Sequence, residues 1–189
     1  MPFMPVVARY VRRFLADAVR QLAVEHGLRQ FLDLGTGLPT AGNTHQVAQQ
    51  FAPAARVAYV DNDPDVLAHA GALLTSRPEG RTGYVDADLR DVDAVLAGTR
   101  DILDFGQPVA VLFMAVLHFI PDADDPWQVV RRVLAAVPPG SFLVIAHAAA
   151  DIQPDVIGPV ALDEWFGPGE VEPAAAGMLS CWAGLARMP

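Results

Sequence analysis

Several polar clusters in this chain each follow an apolar run that reads as a β-strand. Gly35-Thr36-Gly37 follows the run Gln30–Leu34. Asp61-Asn62 follows 56–60, Asp86-Ala87-Asp88-Leu89 follows 82–85, and His118 follows 109–116. A glycine lets backbone approach a ligand closely, because no Cβ stands in the way. An ionised carboxylate offers two acceptor oxygens, so Asp61 can take hydrogen bonds from both hydroxyls of a ribose. Asp88 can accept from an adenine amino group, with the Leu89 backbone beside it and Leu89 packed on the ring. Asp33, just ahead of the glycines, can accept from an ammonium group. Each cluster alone has a plain structural explanation: a tight turn at the glycines, a capping turn at Asp61-Asn62-Asp63-Pro64, solvated acids at Asp86 and Asp88. Their recurrence at successive strand ends is the informative feature. In an open α/β sheet, ligands sit beyond the carboxyl ends of the strands.

The elements that would position these residues follow from periodicity. Val7, Val11, Phe14, Leu15, Val19 and Leu22 fall at helical spacing, which predicts an amphipathic helix over 6–24 stopped by Gly27. Asn43 or Thr44 can cap a helix running to Gln50, and Pro64 suits the first turn of another. Further helices are expected over 92–96 and 127–137, and a fifth strand over 141–148. Strand and helix therefore alternate five times, which predicts a Rossmann-like, doubly wound, mostly parallel α/β sheet in one domain over 1–189. After strand five the pattern weakens. A short helix near 162–166 and a closing antiparallel hairpin from 170–175 and 179–186 are expected. Ala115, Thr36, Asn43 and Asn62 lie at the same strand-end positions and complete the candidate cofactor contacts. His118 is the candidate catalytic base.

Composition narrows the function classes. The 189 residues carry 13 basic and 22 acidic side chains, a formal net charge of −9. Such a field repels phosphate backbones and anionic lipid surfaces, so neither nucleic acid nor membrane is an expected partner. Arg12, Arg13 and Arg20 read as a solvated helix face. Cys181 is the single cysteine, so no intramolecular disulfide forms. The start shows no secretory pattern, and the apolar runs are too short to span a bilayer, which points to a cytoplasmic enzyme.

Phe31-Leu-Asp-Leu-Gly-Thr-Gly-Leu-Pro-Thr-Ala-Gly-Asn-Thr-His45, Tyr59-Val-Asp-Asn-Asp-Pro64, Asp86-Ala-Asp-Leu-Arg-Asp91 and Val116-Leu-His-Phe-Ile-Pro-Asp122 together resemble an actinobacterial family of S-adenosylmethionine-dependent methyltransferases of unassigned substrate. The resemblance runs from about Arg20 to about Asp151. It implies a class I methyltransferase fold with a seven-stranded sheet, S-adenosylmethionine as cofactor and S-adenosylhomocysteine as product. By the same resemblance Asp33, Gly35 and Gly37 would line the methionine end, Asp61 the ribose, and Asp88 with Leu89 the adenine. Two departures from the family stand out. The longer N-terminal segment that members usually carry before the first strand looks absent, and the region after strand five looks shortened. Both would normally build the substrate side, and their loss would leave apolar surface for a second copy to cover in a homodimer.

Methyl transfer to a small-molecule acceptor needs orientation and a dry cleft, with a base only where the nucleophile is protonated. His118 is best placed for that, although a structural histidine would sit equally well there. His147 reads as structural, and His45 as either a contact to the cofactor's carboxylate or a local cap. Two other readings stay open: a cofactor-binding protein without catalysis, and a nicotinamide-dependent dehydrogenase. The dehydrogenase fits less well, because Gly35-x-Gly37-x-x-Thr40 lacks the third glycine of the dinucleotide fingerprint. A metal enzyme using His45, His118, His147 and Asp122 fits worst, since these residues show no ligand spacing.

Overall fold

Apolar residues at nearly every position suit a strand covered on both faces, and the chain uses its apolar runs in that way. A computed structural model describes residues 4–39, 41–73, 76–148 and 181–188. The strands are β1 (Gln30–Leu34), β2 (Arg56–Asp61), β3 (Arg81–Asp86), β4 (Ala110–Met114), β5 (Phe142–Ala148) and β6 (Cys181–Arg187). The helices are α1 (Met4–Val24), α2 (Thr44–Phe51), α3 (Pro64–Leu73), α4 (Val92–Thr99) and α5 (Pro126–Ala135). Among the described residues the sheet has six strands in the order β3-β2-β1-β4-β5-β6. All neighbours are parallel except β5 and β6, which run antiparallel from Phe142↔Arg187 to Ala148↔Cys181. The expected strand at 170–175 and the short helix at 162–166 lie outside the described residues.

The period of two along each strand divides the core into two layers. Phe31, Val57, Tyr59, Leu112 and Val144 pack with α1 and α2. Leu32, Leu34, Val60, Val111, Phe113 and Ile145 pack with α4 and α5. Asp33 therefore shares the face of Phe31 and looks toward α1 and α2.

The chain starts outward from β1 toward β3, then returns to lay β4 on the other side of β1. This reversal puts the switch point of the sheet, where open α/β sheets bind ligands, at the turns that follow β1 and β4. The turn after β4 differs from the sequence expectation. The apolar run suggests a strand to Val116, but β4 ends at Met114, and Leu117–Phe119 forms a 3-10 turn. Ala115 takes a left-handed conformation with φ 58°. That state costs a non-glycine residue about 1–3 kcal/mol, and Ala115 is held in it by its N–H donating to the Ala146 carbonyl at 2.7 Å.

Candidate cofactor site

Both glycines after β1 adopt positive φ, +69° at Gly35 and +60° at Gly37, but they serve different neighbours. A Cβ on Gly35 would stand 2.1 Å from Val116 Cγ2. Gly35 thus lets the turn after β4 pack directly against the turn after β1. Its N–H donates to the Val60 carbonyl at 2.8 Å, which ties the turn to β2. Among the described residues nothing lies within 4 Å of where a Cβ on Gly37 would stand. Gly37 thus faces open space, a cradle that a side chain would fill.

Asp61 is fixed by backbone donors. Gly37 N–H donates to Oδ2 at 2.8 Å and Asp63 N–H to Oδ1 at 3.1 Å. Each oxygen keeps acceptor capacity, so a pair of neighbouring hydroxyls still finds a preset carboxylate. The turns after β1 and β2 are joined through this one side chain.

At the other side of the glycines lies Asp33, 5% exposed, with the Thr44 hydroxyl donating to Oδ2 at 2.6 Å. Burial pushes this carboxyl up to about 6, against the opposing pulls of Thr44 and the Arg12 guanidinium. A buried carboxylate of this kind gains from a cationic partner. Arg12, Asp33, Thr36, Gly37, Asn43 and Tyr84 line a narrow cleft here, about 20 Å³, the size of one water. Thr36 sits 3.4 Å from the Tyr84 hydroxyl. Asn43 is buried at the start of α2, where its N–H donates to Gln46 Oε1 at 3.0 Å. His45 does not reach the cleft lining. Its ring turns to Tyr59, with Nδ1 2.9 Å from the hydroxyl that also accepts its backbone N–H. The reading of His45 as a contact to the cofactor's carboxylate is corrected accordingly.

The loop after β3 is braced by arginine. Arg90 donates to both oxygens of Asp88, at 3.0 Å from Nε to Oδ1 and 2.6 Å from Nη2 to Oδ2, and to Asp124 at 2.9 Å. These bonds hold the Asp88 carboxyl below its ordinary value. Asn62 Nδ2 adds a longer contact to Asp88 at 3.4 Å. Leu89 is buried in the core with Val92, Leu103 and Leu117, so its side chain supports the loop from beneath.

Beyond Val116, the His118 ring stands 5.5 Å from that of His147, edge to face, and 4.3 Å from that of Phe119. Burial lowers the affinity of both histidines for a proton. His147 falls to about 4, with the neighbouring His118 adding to the effect. Both imidazoles are therefore neutral at pH 7. Among the described residues no three metal-ligating side chains gather.

As site residues, Arg12, Thr44, Tyr84 and Arg90 are missing from the sequence expectations. Arg12 carries a readable signal. Residues 12, 15, 19 and 22 form one helical stripe, and Leu15, Val19 and Leu22 are 3%, 0% and 0% exposed. An arginine in a buried stripe needs a polar reason to be there. Arg12 is half-buried and lines the cleft, so its reading as part of a solvated face is corrected.

The site's residues fit a nucleoside that ends in an amino acid. Asp61 presents a preset pair of oxygens, Gly37 leaves room, and Asp33 lies buried without a neighbouring lysine or arginine in salt-bridge range among the described residues. Comparison with known proteins places the chain as a whole. A protein of the DUF574 family from Streptomyces avermitilis is 37% identical, covering 100% of this chain and 86% of its own, with a TM-score of 0.90. A candidate methyltransferase from Thermobifida fusca is 34% identical over 100% and 84%, with a TM-score of 0.81. The N-methyltransferase NodS from Bradyrhizobium japonicum, crystallised with S-adenosyl-L-homocysteine, shares the fold at 14% identity over 92% and 85%, with a TM-score of 0.59. No curated protein matches significantly. The S-adenosyl methyltransferase family matches residues 1–187, so the chain belongs to that family, and its cofactor is S-adenosylmethionine.

Proposed function

We propose that the chain transfers a methyl group to a small-molecule acceptor, with the cofactor seated across the ends of β1, β2 and β3 and His118 as the base. The observation that carries this reading is the Asp61 carboxylate, fixed by Gly37 N–H beside open space. Asp61 receives the ribose hydroxyls, Asp33 the ammonium group, and the loop at Asp88 the adenine edge. Thr36, Gly37, Asn43 and Asn62 shape the walls, while Leu89, Gly35 and Ala115 set the loops behind them. The sulfonium of the bound cofactor supplies an activated methyl carbon for in-line displacement. The protein orients the acceptor and keeps water out. His118, at the turn pressed on Gly35 by Val116, takes a proton from a hydroxyl or amine acceptor as it attacks. A net charge of −9 disfavours a nucleic acid as the acceptor.

Titration calorimetry with S-adenosylhomocysteine tests the assignment. Asp61→Ala lowers affinity by about 10- to 150-fold, the worth of charge-assisted hydrogen bonds at roughly 1.5–3 kcal/mol, while the protein stays folded. Wild-type affinity in that variant would remove Asp61 from the site. The same titration has a defined pH dependence. Asp33 pairs with an ammonium group only when ionised, and its carboxyl is raised to about 6. Affinity is therefore full at pH 7 and above, and falls as pH drops through about 6, at most tenfold per unit. Asp33→Asn flattens this limb. A wild-type profile that stays flat between pH 7 and 5 would separate Asp33 from the ligand.

A further inference from the structure

The methionine end of the cofactor is a zwitterion, and so far only its ammonium group has a partner. Its carboxylate would enter a cleft walled by Asp33 with Asp61 close by, both acids. Unpaired, it would meet like charge in a partly dry space, where repulsion is strong. Among the residues lining that cleft, Arg12 is the cation.

We propose that Arg12 of α1 is the counter-ion of the cofactor's carboxylate; the inference rests on the cofactor assignment above. The placement of Arg12 supports it. It occupies the stripe of α1 that also carries the buried Leu15, Val19 and Leu22. Its neighbour Arg13 turns outward and pairs with Asp17 at 3.8 Å on the surface. Arg12 makes no such ion pair among the described residues. Its Nη2 donates to the Leu38 carbonyl, a long contact of 3.4 Å to a neutral acceptor. Among the described residues this long contact is the one hydrogen bond the guanidinium makes, so its fork keeps donors for a charged acceptor, and a carboxylate is the acceptor that planar fork matches best. The contact to Leu38 also explains why the cleft is narrow, because the arginine spans it from α1 to the loop after Gly37. Exchange of that carbonyl for a carboxylate opens the space and draws α1 into the ligand site. The two ends of the zwitterion then have separate owners: Asp33 on the sheet and Arg12 on the helix.

The test compares two ligands that share the adenosine and sulfur but differ in the amino-acid end. S-adenosylhomocysteine has it and 5′-methylthioadenosine lacks it. In Arg12→Met, which keeps a long apolar stem for packing, affinity for S-adenosylhomocysteine falls about 10- to 150-fold. Affinity for 5′-methylthioadenosine stays within about twofold. Arg12→Lys restores part of the loss, since charge returns without the fork. Unchanged affinity for S-adenosylhomocysteine in Arg12→Met overturns the inference. So does an equal loss for both ligands, which would show that the helix had merely shifted. Either result leaves the cofactor site standing. A wild type that binds neither ligand brings down the site and the inference together.

Discussion

Gly37→Val abolishes detectable binding of S-adenosylhomocysteine and leaves a folded protein of reduced stability. Two effects act together. First, φ at this position is +60°, where a β-branched residue is strongly disfavoured. The strain is about 1–3 kcal/mol. Second, the new side chain would project into space that is empty within 4 Å of its Cβ. The protein alone tolerates that, because no wall is struck. The ligand does not, because the same volume is the one it must occupy. A third consequence runs through the backbone. Gly37 N–H fixes Asp61 Oδ2 at 2.8 Å, so a strained Gly37 also releases the carboxylate that meets the ribose. Loss beyond about 10³-fold in affinity corresponds to roughly 4 kcal/mol, which steric exclusion and the freed carboxylate together reach. Gly37→Ala separates the terms, since it carries most of the strain with little of the bulk. Thermal unfolding should place both variants below the wild type, with calorimetry showing binding weakened in alanine and absent in valine. Full affinity in the valine variant would mean that this turn does not face the cofactor.

The contrast between Gly35 and Gly37 shows where sequence reading stops. Both glycines are visible in the sequence, and both sit after a strand whose bounds, Gln30–Leu34, follow from its apolar run and the turn residues beside it. Their different duties depend on Val116, far along the chain, and no local pattern reveals that contact. The same limit applies to Arg90. Its bond to Asp124 spans 34 positions, and nothing in the sequence marks that acid as its partner. The end of β4 was misjudged for another reason. Apolar content is the same in a buried strand and in a buried turn, so Ala115 and Val116 read as strand. What breaks the strand is a left-handed alanine fixed by a tertiary hydrogen bond to Ala146. Arg12 is legible in a different way from a solvated face: its place in the buried α1 stripe follows from spacing alone. The strand ends themselves were legible, because a parallel sheet gathers its carboxyl-terminal turns at one edge whatever the side chains between.

His118→Ala lowers methyl transfer by about 10²–10⁴-fold per folded molecule, the usual worth of a positioned proton acceptor, and leaves affinity for S-adenosylhomocysteine within about twofold. The two effects separate because of where the residue lies. His118 follows the turn that Val116 presses against Gly35, while Asp61 and Asp33, proposed above to hold the ribose and the ammonium group, belong to β2 and β1. Its Nδ1 is buried without a hydrogen-bond partner among the described residues. Burial lowers its proton affinity below the ordinary 6.5, so the ring is neutral at pH 7 and able to accept. The sign of the pH effect follows. A base acts in its deprotonated form, so the rate is level above about pH 7 and falls only as pH drops below 6.5. The alanine variant loses that acid limb along with the rate. A structural histidine behaves differently. Its removal would lower the unfolding temperature, through loss of the edge-to-face contact with His147 at 5.5 Å, and leave turnover per folded molecule and the pH profile unchanged. His118→Asn discriminates further, since it keeps a polar side chain without one that titrates. The assay follows production of S-adenosylhomocysteine from a panel of small phenols and amines. If the wild type binds cofactor tightly and turns over none of them, the reading of the chain as a cofactor-binding protein without catalysis gains, because an aligned acceptor and base should act on at least the more nucleophilic members.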